Sequence, residues 1–401
     1  MIFDPSIPFH TSNNFIVYLL SDIVNILFCL IFLSFFLFFH KINLKEFIYW
    51  IFLFFFVSII NIFVTAFNIF PDLNGYLLCL RDLRDNFSFQ ELECTVTQMG
   101  PSDTIDEEDV SAIGILSFKR SLPAILYSLV PIPSIATLSS IGFINKIFLF
   151  LTYLFLKKNS THFKYNVGLL LFIFTLPSLL LYSSVGIRDN IIFCIQVILL
   201  VTIFHKDFIK STILLFILFA IKLQNALVFS LLYVAIFIFK ADKTKKMFTF
   251  FCFSTLSVFI YFSERIVEVI NYFRLAFLNE VGAISPNMIF EGYDSLFEIL
   301  IKSPLIFVQG VLAPMPMNIL YVIFFLESLI LLALSIWVFS KKMFSEPLFL
   351  LLVFLTVFAG IVLNGLVIEN VFTFLRYKYS FTFLFLIYLL IDSTKDGTKK
   401  S

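Results

Sequence analysis

Apolar positions in this chain come in long blocks, without the strict alternation of a half-buried strand or the polar stripe of a surface helix. Runs of about 15 to 25 residues, the length of a membrane-crossing helix, fall at 14–39, 47–70, 139–156, 166–183, 191–204, 211–221, 225–239, 247–262, 317–340, 346–364 and 377–391. Two further apolar stretches, 122–137 and 304–313, are interrupted or flanked by proline and predict re-entrant or interfacial pieces. The pattern predicts an all-α polytopic integral membrane protein, one transmembrane domain over 1–401, with about 11 transmembrane helices plus those segments. Because the runs recur along the whole length, they are not one cleavable signal peptide.

Composition agrees. Of 401 residues, 60% are hydrophobic and 14% charged, against about 25% charged in soluble domains. Phe alone fills 58 positions, and the mean hydropathy is +1.00. A soluble enzyme, a disordered chain and a nucleic-acid binder are excluded.

Lysine orients the chain. Clusters occur at Lys41/Lys45, Lys157/Lys158/Lys164, Lys206/Lys210, Lys240/Lys243/Lys245/Lys246, Lys341/Lys342 and Lys395/Lys399/Lys400. The positive-inside rule places all six in the cytoplasm, which requires an even number of crossings between neighbours. Eleven spans satisfy it, with the N-terminus outside. The same topology leaves two long outer loops, 71–121 and 263–303. In the second, Ile266, Ile270, Phe273 and Phe277 oppose Glu264, Glu268, Asn271 and Arg274, predicting an amphipathic helix on the outer leaflet. The acidic run Asp103–Asp109 lacks the glycine and spacing of an EF-hand loop and reads as a helix start.

All seven arginines, Arg81, Arg84, Arg120, Arg188, Arg265, Arg274 and Arg376, then fall at or near the outer face. Either cation would control topology, so the segregation calls for another reason. Guanidinium matches phosphate bidentately whereas ammonium is a hydrated point charge, which points to an outer site for a phosphate or diphosphate; outer-loop salt bridging is the plain alternative. Arg188 is the strongest candidate: it follows the Ser183-Ser184-Val185-Gly186 break and precedes Asp189-Asn190, which can cap the next helix. Arg376 opens the last span.

The run 211–239 has cytoplasmic lysines on both sides, yet its 29 residues are too few for two full crossings, which need about 40. Two short helices meeting within the membrane fit, with Lys222, Gln224 and Asn225 at their apex, facing a polar cavity or gluing helices together. Lys146 enters its span beside Asn145, and Glu327 stands in the ninth span as a proton-relay residue or a paired structural acid.

Cys29, Cys194 and Cys252 lie in apolar spans; Cys79 and Cys94 share the first outer loop and can pair in an oxidising compartment. Of the four histidines, His40, His162 and His205 flank cytoplasmic ends, leaving only His10 outside. No zinc-ligand spacing, P-loop or GxSxG element occurs. A base on the outer side would therefore be a carboxylate such as Asp72, Asp189 or Glu369, and no metal or cofactor is expected.

Asp72-Leu73-Asn74-Gly75-Tyr76 opens the first outer loop. Pro177-Ser178 leads into Tyr182-Ser183-Ser184 and Gly186-x-Arg188-Asp189, a polar apex follows in the short helix pair, and Arg376-Tyr377-x-Tyr379 opens the last span. This organisation resembles the bacterial oligosaccharide repeat-unit polymerases (O-antigen polymerases of the Wzy type and their EpsG-like exopolysaccharide relatives). The resemblance covers most of the chain by organisation and about 30 residues by motif. It implies a glycosyltransferase in the bacterial inner membrane. Such an enzyme moves a growing chain from one undecaprenyl diphosphate to the nonreducing end of another lipid-linked unit at the periplasmic face. It further implies Arg188 and Arg376 on the diphosphate; the reading of the residues adds Lys222, Gln224, Asn225, Lys146, Tyr76 and Arg120 as candidate substrate contacts. The implied partners are the lipid-linked oligosaccharide, the bilayer, a chain-length regulator and a flippase. Competing readings are a GT-C-type transferase using polyprenyl-phosphate sugar, against which Asp72 stands isolated, and a lipid-sugar transporter, which would need internal repeats.

The topology makes a testable prediction. Reporter fusions after Gly100 and Ser285 report a periplasmic position, and fusions after Ser160, Lys243 and Lys342 a cytoplasmic one. A cytoplasmic signal from the 71–121 loop removes the basis for an outer anion site.

Overall fold

The computed structural model describes residues 12–67, 121–159, 167–240, 261–278, 292–316, 319–342, 347–368 and 371–390, plus isolated positions 77, 79, 80, 83, 84 and 257. Among the described residues there are helices and connections but no strand. In chain order the helices are α1 Ser12–Phe38, α2 Leu44–Phe67, α3 Ser121–Ser128, α4 Leu138–Asn159, α5 Val167–Phe174, α6 Pro177–Ser184 and α7 Asp189–Phe204. They continue as α8 Phe208–Ile221, α9 Leu223–Lys240, α10 Ser263–Leu278, α11 Leu296–Leu312, α12 Ile319–Lys342, α13 Pro347–Val367 and α14 Val371–Leu390.

Four of these, α1, α2, α4 and α13, are long and apolar enough to cross a membrane, and a fifth crossing results if the α5–α6 pair is one broken span. The chain is a helical membrane protein. α7, α8, α9 and the described apolar stretch of α12 are shorter apolar helices, and most of the expected span 247–262 lies outside the described residues.

Three expectations meet a different local structure. The run 166–183 is two helices bent by 63°. The proline at the first position of α6 provides no N–H, and it holds Leu176 extended at φ −61°, ψ 141°, as the residue before a proline prefers. The stretch 304–313 is no separate piece: α11 runs through Pro304. Ser295 caps its start by accepting from the Glu298 N–H, and the Ala313 N–H closes its end on the Gln309 carbonyl. These bonds offset the one that Pro304 cannot make. The amphipathic helix exists as α10, but Val267 and Ile270 are buried and the helix packs on α13 and α11. Its apolar side serves the protein interior.

The chain divides into two compact units. The first comprises Met1–Gln98, Ile113–Ile198 and Ala220–Lys222; the second comprises Met99–Ala112, Leu199–Phe219 and Leu223–Ser401. In the first, α1, α2, α4 and α6 pack on one another around Trp50, whose ring meets Phe150, Tyr153 and Phe174 edge-on or tilted at 5.1 to 5.9 Å. In the second, α13 is central and touches α9, α10, α11 and α14. Glycine allows the closest approach there: a Cβ at Gly360 would sit 2.3 Å from the Phe381 ring, the small-residue packing of membrane helices.

One end of the first unit is tied by a buried carboxylate. Asn43 and Glu46 form a capping box at the start of α2: the Asn43 N–H donates to Glu46 Oε2 at 2.8 Å and the Glu46 N–H to Asn43 Oδ1 at 2.9 Å. From α4, Tyr153 OH donates to Glu46 Oε1 at 2.6 Å and Lys157 Nζ reaches both carboxylate oxygens at 2.8 Å. Lys157 also donates to the Lys41 carbonyl at 3.0 Å. Lys157 and Lys41, one from each of the first two lysine clusters, therefore meet at one end of the unit.

Glu46→Ala removes the cap and leaves Lys157 without its carboxylate, and the expected cost is about 3 kcal/mol. Tyr153→Phe loses one charge-assisted hydrogen bond, about 1.5 kcal/mol. Thermal unfolding in detergent should rank them in that order.

Candidate functional site

Two half-turns of irregular chain, at 175–176 and 185–188, interrupt what would otherwise be continuous helix. A helix that stops inside a membrane releases carbonyls that lipid cannot satisfy. In this protein amide side chains satisfy them. Asn145 of α4 donates to the Val185 carbonyl at 2.7 Å and to the Ile187 carbonyl at 3.1 Å. Asn61 of α2 donates to the Ser184 carbonyl at 2.8 Å. Asn190 returns the contact, donating to the Asn145 carbonyl at 2.9 Å. Gly142 lets α4 lie directly on the break, since a Cβ there would fall 1.9 Å from the Ser184 oxygen.

Charged residues gather on this frame. Asp189 begins α7, and Lys222, the single non-helical residue between α8 and α9, places its ammonium 3.8 Å from Asp189 Oδ1. Lys222 is 8% exposed and Asp189 3%, so the pair is desolvated on both sides. Arg188 is half-buried and donates from Nη1 to the Ile221 carbonyl at 3.4 Å, the residue adjoining Lys222. One turn of α6 away, Lys146 is fully buried and donates to Ser183 Oγ at 2.6 Å and the Leu180 carbonyl at 3.4 Å. The structure thus brings together four residues singled out by sequence: Lys146, Arg188, Asp189 and Lys222.

The others stand elsewhere. Gln224 is exposed, Asn225 is buried in the first turn of α9, and both belong to the second unit. Arg376 is in that unit too, half-buried, with its guanidinium 5.4 Å above the Tyr377 ring. Asp72, Tyr76, Arg120 and Glu369 lie outside the described residues. Cys79 is in a disulfide, and Cys94, its expected partner, lies outside the described residues as well.

The described arginines are not one population. Arg84 turns its fork onto the carbonyls of Val130 and Ile132, holding the segment after α3. Arg265 pairs with Glu268 at 3.1 Å on an exposed face. Arg274 stacks 4.9 Å from the centre of the Tyr293 ring, whose backbone exchanges two hydrogen bonds with Asn271. Their surroundings are those of structural residues, and Arg188 stands apart from them.

Two buried groups were not singled out by sequence. Lys378, hidden as the x of the Arg-Tyr-x-Tyr element, donates to the Val311 and Ala313 carbonyls at the end of α11 and to Ser328 Oγ. Buried Glu327 on α12 acts on it electrostatically. The paired structural acid is therefore the reading that Glu327's surroundings favour. Asp22, near the start of the longest apolar run, is 5% exposed; a single carboxylate among twenty-six mostly apolar positions carries no pattern by which to find it.

No family model matches the chain, nor does any curated protein or solved structure.

Lys222→Met alone should destabilise the protein by about 3–5 kcal/mol, because Asp189 stays buried without its counter-charge. Lys222→Met combined with Asp189→Asn should recover most of that loss. Unfolding midpoints of the two single variants and the double variant check the coupling.

Proposed function

We propose that the protein is a membrane glycosyltransferase that joins lipid-diphosphate-linked oligosaccharide units, with the α6–α7 break as the seat of the diphosphate. The observation that carries this reading is the convergence of Arg188 and Lys222 on a helix start inside a frame of buried amides. A helix N-terminus with a guanidinium beside it favours an oxyanion. Such a frame, rigid before substrate arrives, can stabilise charge that develops on a leaving group.

In the proposed reaction a hydroxyl at the nonreducing end of one lipid-linked unit attacks the anomeric carbon of the donor chain. The bond between that carbon and the diphosphate oxygen breaks, undecaprenyl diphosphate departs with the electron pair, and the hydroxyl proton passes to a carboxylate. Arg188 offers the leaving group its fork, and Lys222 contributes charge. Lys146 acts beneath them: by binding Ser183 and the end of α6, it fixes the break from which Arg188 projects. Asp189 is the partner of Lys222, so proton acceptance falls more naturally to another carboxylate, for which the sequence offers Asp72. Arg376, in the second unit, is a diphosphate candidate on the sequence reading alone. The disulfide of Cys79 supports an oxidising compartment for the segment that follows α2, and with it a periplasmic reaction in the bacterial inner membrane.

Arg188→Lys keeps the charge and loses the planar fork. Expected is a fall in long-chain glycolipid of about 100-fold or more, with single repeat units remaining and protein abundance unchanged. Arg265→Lys, on the exposed α10 pair, should leave chain length unchanged. Normal polymer from well-expressed Arg188→Lys overturns the assignment. The readout is a gel of extracted glycolipid beside an immunoblot.

A further inference from the structure

We propose that Asp22, with the hydroxyls of Ser58, Thr137 and Ser139, forms a binding site for a dehydrated monovalent cation of sodium size within the first unit. This goes beyond the diphosphate site and does not depend on it.

The site is built by contacts on either side of Asp22. Ser21 shares a hydrogen bond with Ser134 Oγ at 2.8 Å. Asn25, one turn further along α1, clamps the Ser134 backbone from both ends: Nδ2 donates to its carbonyl, and Oδ1 accepts from its N–H, each at 3.0 Å. Those bonds hold the segment entering α4 against α1. Asp22 then faces Thr137 and Ser139 from that segment and Ser58 from α2. Thr137 and Ser139 are fully buried.

The three hydroxyls face the carboxylate, and that of Thr137 also shares a hydrogen bond with Ser140 Oγ at 3.4 Å. Asp22 Oδ1, Ser58 Oγ and Ser139 Oγ are each buried and each without a hydrogen-bond partner in the protein. If the carboxylate served only to cap α4, it would accept from the N–H groups that open that helix, and Oδ1 accepts from none. Among the described residues no ammonium or guanidinium is among the groups acting on it. A desolvated carboxylate at membrane depth needs a counter-charge, and ionisable residues there pair or line ion paths.

The donor set selects the ion. One carboxylate and three hydroxyls present only hard oxygen, which suits alkali and alkaline-earth cations over transition metals. A single negative charge balances a single positive one. The described residues contain no group of three or more His, Cys, Asp or Glu, so the extra charge that a calcium site would recruit is not at hand.

The test is thermal unfolding of the full chain in detergent, in sodium chloride and in choline chloride at equal ionic strength. Expected is a midpoint higher in sodium by roughly 2 °C or more, with a saturable dependence on sodium concentration. Asp22→Asn should abolish the sodium effect, and Ser139→Ala should raise the half-saturating sodium concentration by about fivefold to tenfold. Equal midpoints in the two salts overturn the proposal, as does an undiminished sodium effect in Asp22→Asn. A midpoint that responds to pH and ignores sodium also overturns it, because a proton then neutralises the carboxylate. If Asp22→Asn fails to fold, an unshifted sodium dependence in Ser139→Ala decides against it. Glycolipid chain length plays no part in this measurement, so its outcome stands apart from the diphosphate reading.

Discussion

The pairing of carbonyls released where a helix stops in the buried interior is the constraint on which the rest of the first unit depends. Lipid offers such groups nothing, and each one left alone costs several kcal/mol. Two asparagines from two helices, Asn61 and Asn145, answer that need at the α6–α7 break, and Asn190 ties the start of α7 to the Asn145 carbonyl of α4. Their amide donors are fixed on the backbone, so the break is rigid. What projects from it, Arg188 and Asp189, is rigid with it. Gly142 completes the arrangement by letting α4 come within backbone distance of Ser184.

Much of this was legible in the sequence because it is written locally. Block hydrophobicity marks the helices, and the Ser183-Ser184-Val185-Gly186 run marks the break before α7. The short lysine-flanked run 211–239 marks a helix pair, which the structure resolves into α8 and α9 with Lys222 alone between them. What was not legible is written across long separations. Asn61 reads as one polar residue in an apolar span until its partner is found 123 positions away. Asp22 is likewise a lone charge in α1 until Ser58 and the segment leading into α4 fold against it. A bent span escaped notice for a different reason: hydropathy averages over a window and cannot register 63° of direction at two residues.

The arginine–lysine segregation also needs dividing. Read as a single feature, it points to one anion site supplied by several guanidiniums. The structure gives the outer arginines separate surroundings: backbone carbonyls for Arg84, a carboxylate for Arg265, an aromatic face for Arg274. Arg188 differs because it sits beside a helix start, within a desolvated charge pair's reach. Location within the fold, more than residue type, sets Arg188 apart from the others.

The same reasoning sorts the buried lysines. An ammonium has three donors. Lys378 spends all three, on two carbonyls at the end of α11 and on Ser328. Lys146 directs its own at the end of α6. Both therefore act as caps on helix C-termini, where a cation answers the negative end of the dipole. Lys222 stands under a different geometry. Its nearest carboxylate oxygen is 3.8 Å away, too far for a direct hydrogen bond yet close enough for strong attraction in a desolvated site. Among the described buried lysines, Lys222 is thus the one set against the carboxylate that begins a helix, Asp189 at the start of α7.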